Sequence, residues 1–449
     1  MSTFGPLRHP AFRLLLAGRT ISSLGNTFAG IALAFAVLDL TGSATDLGLV
    51  VGARTLVNVL FLLFGGVLAD RLPRHLLMVA SSVAAALTQG AVAALVLTHT
   101  ATIPLLIALS AANGMVAALA LPASAALLPQ TVPADERQQA NALGRLLGNA
   151  SSIIGAPVGG VVVAAVGPGW GIAVDAVSFA IAALCFSLVR VPAVKSESPV
   201  PAVKSESPVP AAQAESAEAL IGAEQTPGTA AGEGRPSIFA DLRTGWTEFS
   251  GRTWLWVVVA GFCVFNAAWS GSMGVLGPVV ADETFGRRAW GFILAAETAG
   301  MIIGGLIAMR VRVRRLLYFA TAACALLALP PLTLGLYPHV AALIIAGFVA
   351  GVGLEQFGVG WETTMQEHVP ADRLARVYSY DMLGSFLAIP VGEVLAGPAA
   401  QAFGTRAALI GAAGLMGVAV IFMLGSRDVR HLRHRLPSKA GQPMEELPA

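Results

Sequence analysis

The stretch GGVLADRLPRH, Gly65 to His75, decides the fold, because it ends an apolar segment with one aspartate and two arginines. The carboxyl end of a helix carries about half a negative charge, so a carboxylate at Asp70 is unfavourable there without a cationic partner. Arg71 and Arg74 are candidate partners, and so is the N-terminus of another helix. The pattern predicts a polar latch between helix ends. We call Gly66, Asp70, Arg71 and Arg74 the latch residues.

The composition is that of an integral membrane protein. Of 449 residues, 55% are hydrophobic and 12% are charged, and the mean hydropathy is +0.73. Soluble domains carry about 25% charged residues. The formal net charge is +2 and the basic residues do not gather on one soluble face, so we expect no nucleic-acid partner.

Twelve segments are long and apolar enough to cross a bilayer, which takes about 20 mostly apolar residues. They span residues 12–38, 47–70, 76–98, 103–129, 141–166, 171–190, 254–280, 289–310, 315–336, 339–364, 376–401 and 406–426. Every connection is short except 191–253. The sequence therefore predicts an all-α integral membrane protein with twelve transmembrane helices in two six-helix bundles.

The long connection divides the chain into domains. The unit VPAVKSESP occurs at 191–199 and again at 200–208, and such a composition cannot bury a core. A spacer is the simplest interpretation, and a regulatory role for its serines is the alternative. We predict an N-terminal bundle over 1–190, a disordered cytoplasmic linker over 191–236, an interfacial amphipathic helix over 237–253, a C-terminal bundle over 254–426 and a cytoplasmic tail over 427–449.

Arginines predict the orientation, because basic residues concentrate in cytoplasmic loops. Most of them fall in alternate loops, beginning with Arg71 and Arg74. The opposite loops hold only Arg287, Arg288 and Arg406. Both termini and the linker are therefore predicted to be cytoplasmic, in a multi-pass protein of the cell membrane.

The two halves repeat one another. Three pairs of short motifs lie 233 to 239 residues apart: VPAD at 132–135 and 369–372, PVG at 157–159 and 390–392, and Gly66 with Gly305. Three pairs at nearly the same offset, in equivalent positions, indicate an internal duplication. Met309 stands where the second half would repeat Asp70, so the latch belongs to the first half alone.

The latch segment resembles the loop signature of the major facilitator superfamily. The matching residues are Gly66, Leu68, Ala69, Asp70, Arg71 and Arg74, and Pro73 replaces a glycine. The resemblance implies the major facilitator fold, in which two pseudo-symmetric six-helix repeats bind substrate between them near the bilayer midplane. It also implies that Asp70 and its arginines stabilise the closed cytoplasmic side against the start of span eleven.

Span five adds a second resemblance. Gly155, Pro157, Gly159 and Gly160 resemble the glycine-proline motif of facilitator-family exporters, although one of its glycines is replaced. Close packing of helices explains these small residues equally well. Span four lacks the arginine that many proton-coupled drug exporters of this superfamily carry. By overall pattern the chain resembles the branch that includes the enterobactin and macrolide exporters.

Ionisable residues inside the spans are candidates for coupling. Inserting each such side chain into the membrane costs at least about 2.5 kcal/mol, so its presence inside a span indicates a functional or structural role. They are the acidic Asp175, Glu297, Glu355 and Glu393 and the basic Arg19 and Arg54. At least two of these carboxylates lack a basic partner in the set and can carry protons. Glu297, closest to the middle of its span, is the first candidate, and polar contacts between helices are the alternative for all six.

Uncharged polar and aromatic residues at similar depths are candidates for a substrate cavity. They are Asn26, Asn58, Asn113, Asn266, Trp269 and Gln356. Helix packing is the alternative for each of them.

These features predict a proton-coupled secondary transporter that exports a small amphiphilic compound, such as a drug, siderophore or secondary metabolite, by alternating access. An importer of a nutrient or precursor is one alternative, and a non-transporting receptor or sensor is another. An enzyme or ATP-driven pump is not expected, because the three lysines lie outside any glycine-rich phosphate-binding loop. We expect no cofactor or metal. The expected partners are a small-molecule substrate, protons and the lipid bilayer, and the expected state is a monomer.

Overall fold

The structure, a computed structural model, describes residues 5–71, 74–133, 136–189, 246–247, 249–311 and 313–434. Within these ranges the side chains at 62–71, 74, 121–123, 125–126, 129, 138, 145, 371–372 and 375–376 are not part of the description. The side chains of the latch residues therefore lie outside the described part of the structure, as do the whole predicted linker and most of the predicted interfacial helix.

Six long helices form the N-terminal half. They are α1 (Pro10–Thr41), α2 (Ala44–Arg71), α3 (Arg74–Leu97), α4 (Ile103–Leu127), α5 (Arg137–Val166) and α6 (Pro168–Ser187). Gly42 ends α1 in a left-handed conformation, with φ of 63°, and its N–H donates to the carbonyl of Leu38. Glycine adopts this conformation without the cost that a Cβ imposes, so α2 can turn back at once.

The helices of the C-terminal half are more broken. They are α7 (Thr253–Trp269), α8 (Gly277–Glu283), α9 (Arg287–Ala308), α10 (Leu316–Ala323), α11 (Leu329–Leu336), α12 (Val340–His368), α13 (Ala371–Phe386), α14 (Ile389–Phe403), α15 (Thr405–Gly425) and α16 (Arg427–His431). A π-helical turn over Ser270–Leu276 joins α7 to α8, and a 3₁₀ turn over Cys324–Ala328 joins α10 to α11. Prolines occupy the second position of both α11 and α14, where no helix hydrogen bond needs their N–H.

Twelve stretches of these helices have the length and hydropathy to cross a membrane. The predicted all-α fold with twelve transmembrane helices is confirmed. Most of the bounds lie within a few residues of the predicted ones: the seventh span runs over Thr253–Glu283 rather than 254–280.

The hydrophobic core shows how the two halves meet. We call the side where α1 begins the arginine-rich side, and the side where α1 ends the arginine-poor side. Towards the arginine-poor side one cluster contains buried residues of both halves, such as Phe35 and Trp290. Towards the arginine-rich side each half has a cluster of its own, around Phe12 and around Trp361 respectively. Among the described side chains, the halves thus share a core towards the arginine-poor side only.

Glycines let the backbones of the two halves approach closely. Helix α2 packs on α14, and α5 packs on α9. A Cβ on Gly48 of α2 would overlap the carbonyl oxygen of Glu393, and a Cβ on Gly291 of α9 would overlap that of Ala156. Both contacts lie towards the arginine-poor side, where glycine is needed because the other half occupies the space.

Candidate functional site

A cavity of about 440 Å³ lies within the N-terminal half. It extends from the middle of the helices towards their arginine-rich ends, on the side where the halves do not share a core. Its walls come from α1, α2, α3, α4 and α6, and are lined by Arg19, Ser22, Ser23, Asn26, Arg54, Met78, Ser81, Ser82, Ala85, Asn113, Val116, Ala117, Ala120, Ser124, Phe179 and Phe186. The volume falls within the range of about 300–1,000 Å³ that is usual for ligand pockets.

Arg54, on α2, connects the cavity to two buried carboxylates. Its Nη2 donates a hydrogen bond of 3.1 Å to Oδ1 of Asn26. Asp175 of its own half and Glu393 of the other half both attract its charge. Arg54 therefore joins the cavity wall to the contact between the halves.

Asp175, on α6, is fully buried, with none of its surface exposed. Gln89 donates a hydrogen bond of 2.6 Å to its Oδ2, and Ser178 donates one of 3.3 Å to its Oδ1. With Arg54 nearby, this carboxylate has polar partners on both oxygens.

Glu393, on α14, is 4% exposed and lies where α14 packs against α2. Ser270 donates a hydrogen bond of 2.6 Å to its Oε1. Its Oε2 is buried without a hydrogen-bond partner in the described part of the chain, and its polar neighbours across the interface are Arg54 and Thr55. A carboxylate of the C-terminal half is thus enclosed by a surface of the N-terminal half.

Arg19, on α1, lines the same cavity but differs from Arg54. Its side chain is half-buried, and among the described residues it forms no ion pair. No aspartate or glutamate is found among the described residues that line the cavity. No acidic side chain of the described cavity lining therefore neutralises its positive charge.

Glu297 and Glu355 lie elsewhere, where α9 packs on α12 inside the C-terminal half. A Cβ on Gly351 would overlap the carbonyl oxygen of Glu297, and the side chain of Glu355 lies against Gly304 and Gly305. Gln356 donates a hydrogen bond of 2.6 Å to the Gly304 carbonyl. These residues belong to one helix–helix contact, and none of them lines the cavity of the N-terminal half.

Of the six predicted cavity residues, two line the cavity of the N-terminal half and four lie elsewhere. Asn26 and Asn113 line the cavity. Asn58 donates to the carbonyl of Gly114 at 3.1 Å, and Asn266 donates to that of Ser385 at 2.9 Å. Like Gln356, these two amides join neighbouring helices, while Trp269 packs against two hydrophobic clusters.

The small residues of span five lie on α5 where it packs against two other helices, α1 and α9. Gly155 and Gly159 approach α1 at Thr27 and Phe28. Gly160 approaches the backbone of Arg287 on α9, and Gly291 approaches that of Pro157. This motif therefore packs α5 both within its own half and against the other half.

An ion pair between the halves closes the arginine-poor side, and sequence analysis did not identify it. Arg287 donates to both oxygens of Asp39, one at 2.9 Å, and its Nε donates to Asp282 at 2.7 Å. The guanidinium also lies 4.8 Å from the ring centre of Phe35. Partners so far apart along the chain leave no local signal in the sequence.

Each half is tied together separately on the arginine-rich side. Arg8 and His9 contact Glu136, and the Arg8 hydrogen bond holds the pKa of this carboxyl below its usual range. In the other half His434 contacts Glu367 at 2.8 Å. Each of these pairs connects segments of a single half.

The serines of the cavity are functional candidates that sequence analysis missed. Arg19, Ser22, Ser23 and Asn26 fall three or four residues apart and so share one face of α1. That spacing could have been recognised in the sequence, because it places a polar stripe along an otherwise apolar helix.

Twelve spans in two halves, a buried charge network and a cavity of mixed polar and apolar lining that extends towards one side define a multi-pass membrane transporter rather than an enzyme. The sequence profile of the Major Facilitator Superfamily matches residues 15–392. The chain belongs to the Major Facilitator Superfamily.

Among curated proteins, an uncharacterised MFS-type transporter of Bacillus subtilis (strain 168), YfiS, is 31% identical over 152 residues. This match covers 34% of the chain and 35% of YfiS, so the chain spans about a third of that relative.

Solved transporters share the fold at low identity. The nucleoside transporter NupG has a TM-score of 0.66 at 13% identity, covering 92% of this chain and 98% of that one. A bacterial homologue of the human lysosomal transporter Spinster, inward-facing and unoccupied, has a TM-score of 0.65 at 13% identity, covering 94% and 98%. A POT family peptide transporter has a TM-score of 0.66 at 14% identity, covering 95% and 99%.

Proposed function

We propose that this chain is a monomeric, proton-coupled exporter of small amphiphilic compounds in the cell membrane. Its cavity is lined both by polar groups, such as Arg19 and Ser81, and by apolar groups, such as Phe179, which suits an amphiphilic cargo. The resemblance to enterobactin and macrolide exporters supports export. The arginine-rich side, with both termini, is the cytoplasmic side in this proposal.

The mechanism is alternating access, and the halves move against each other as units. In the conformation described, the shared core and the Asp39–Arg287 pair hold the arginine-poor side together. The cavity extends to the arginine-rich ends of the helices, so cargo enters from that side. Opening the arginine-poor side requires the contacts of α2 with α14 and of α5 with α9 to separate.

The observation that carries proton coupling is the position of Glu393. This carboxylate is enclosed where α14 packs on α2, and Arg54 lies across the interface. When the halves separate there, the carboxylate meets water and can exchange a proton. Glu297 and Glu355 stay candidates, but their contact lies inside one half and does not change when the halves separate.

Transport in proteoliposomes tests the proposed function. We expect vesicles with an imposed pH gradient to accumulate an amphiphilic substrate found by an efflux screen, and a protonophore to abolish the accumulation. A gradient of one pH unit supports about tenfold accumulation for a one-for-one exchange. Accumulation that is the same with and without the pH gradient contradicts proton coupling. Substrate accumulation in the direction of proton flow indicates an importer.

Replacing Asp70 with asparagine tests the latch. We expect Asp70→Asn to slow export while the protein remains folded in the membrane. The neutral amide cannot form an ion pair with Arg71 or Arg74. Initial export rates and protein abundance are measured together. Asp428→Asn, an exposed carboxylate near the C-terminal tail, is the matched control. Equal rates for both variants and the unchanged protein rule out the latch.

A further inference from the structure

We infer that the cavity of the N-terminal half takes an amphiphilic organic anion whose acidic group pairs with Arg19. This inference rests on the proposed function, because it treats the cavity as the cargo site. It narrows the cargo from amphiphiles in general to those that carry a carboxylate or a similar anionic group.

The charge balance around the cavity carries the argument. Arg54 has two carboxylates, Asp175 and Glu393, that attract it, and it also donates to Asn26. Arg19 lines the same space, and no carboxylate of the described residues pairs with it. A guanidinium within a membrane span is costly, so an unanswered one favours an anionic ligand.

The surroundings of Arg19 supply further donors. Ser23 and Asn26 follow it along α1, and Ser81 and Ser82 line the facing wall on α3. The Ser22 hydroxyl already donates to the Arg19 carbonyl at 3.2 Å. Hydroxyl and amide groups can donate to a carboxylate beside the guanidinium. The planar guanidinium itself offers two parallel hydrogen bonds to such a group.

Apolar side chains complete the site. Met78, Val116, Phe179 and Phe186 line the cavity beyond the polar groups. They can cover an aromatic or aliphatic body, while a cationic amphiphile would meet two arginines. The walls therefore match a molecule with one anionic end and one apolar body.

Binding of matched probes tests the inference on the purified full-length protein in detergent micelles. The probes are naphthoate and its neutral analogue naphthamide, and phenylbutyrate and phenylbutyramide, titrated by calorimetry against empty micelles. Hydrogen bonds to charged groups are stronger than neutral ones, so we expect each anion to bind at least about tenfold more tightly than its amide.

Variants assign the preference to Arg19. We expect Arg19→Gln to remove the preference for the anion and Arg19→Lys to keep part of it. Arg288→Gln is the control, because it removes one positive charge from an exposed position on the arginine-poor side. Size-exclusion profiles verify that each variant is folded.

Three results would overturn the inference: amides that bind as tightly as acids, equal losses in Arg19→Gln and Arg288→Gln, or no binding of either anion. The assay requires no transport, so the two proposals fail separately. Anion binding without pH-driven transport leaves the anion site standing and removes proton coupling. Transport without any preference for anions removes the anion site alone.

Discussion

Glu393→Gln is expected to abolish pH-driven accumulation of substrate while leaving substrate binding and downhill exchange intact. Glutamine keeps the shape of the side chain and can still accept the hydrogen bond from Ser270, but it cannot release a proton. In proteoliposomes with a gradient of one pH unit, we expect accumulation to fall from about tenfold to equilibration. Exchange is measured in the same vesicles with substrate on both sides of the membrane and the label on one side.

Two matched variants separate coupling from structure. Glu297→Gln makes the same chemical change at a carboxylate inside one half, and we expect it to retain accumulation. Ser270→Ala removes the hydrogen bond to Glu393 but leaves its carboxyl group, so coupling should persist with a changed pH profile. Loss of coupling in Glu297→Gln with normal coupling in Glu393→Gln would contradict our assignment and restore Glu297 as first candidate.

The sequence was sufficient for the fold because a bilayer imposes one strong constraint. Each span must be apolar over about 20 residues, and each excursion into water must be polar, so hydropathy alone indicates twelve helices. The internal repeat then divides them into two halves. Breaks such as the π-helical turn at Ser270–Leu276 were not foreseen, because an apolar stretch looks the same whether its hydrogen bonds shift register or not.

The candidate site was only partly predictable. Asp175, Glu297 and Glu393 formed one class of candidates, since each is an acid inside a span, and depth along the span ranked Glu297 first. These acids differ in the helix that each one faces, and that helix is determined by how the helices pack in three dimensions. The approach of Glu393 to Arg54 joins residues of different halves, and the sequence contains no rule for that pairing.

Replacing Gly48 and Gly291 together with alanine is expected to prevent the halves from closing at the arginine-poor side. Each added Cβ would overlap a backbone carbonyl oxygen of the other half, which cannot rotate away as a side chain can. Overpacking costs about 1–3 kcal/mol per site, so two sites shift the equilibrium between conformations by roughly 30-fold or more. Both glycines face the opposite half, so each six-helix half should still fold.

Labelling of a cysteine in the cavity measures this shift. Ser23→Cys, in a chain whose three native cysteines are replaced by alanine, reports access from each side to a membrane-impermeant maleimide. With both glycines replaced, we expect labelling from the arginine-rich side to fall and labelling from the arginine-poor side to rise. Gly30→Ala with Gly411→Ala is the control, since a Cβ at either position meets nothing within 4 Å. If the test pair labels like the control pair, close approach at these glycines does not hold the conformation, and the Asp39–Arg287 ion pair becomes the element to break.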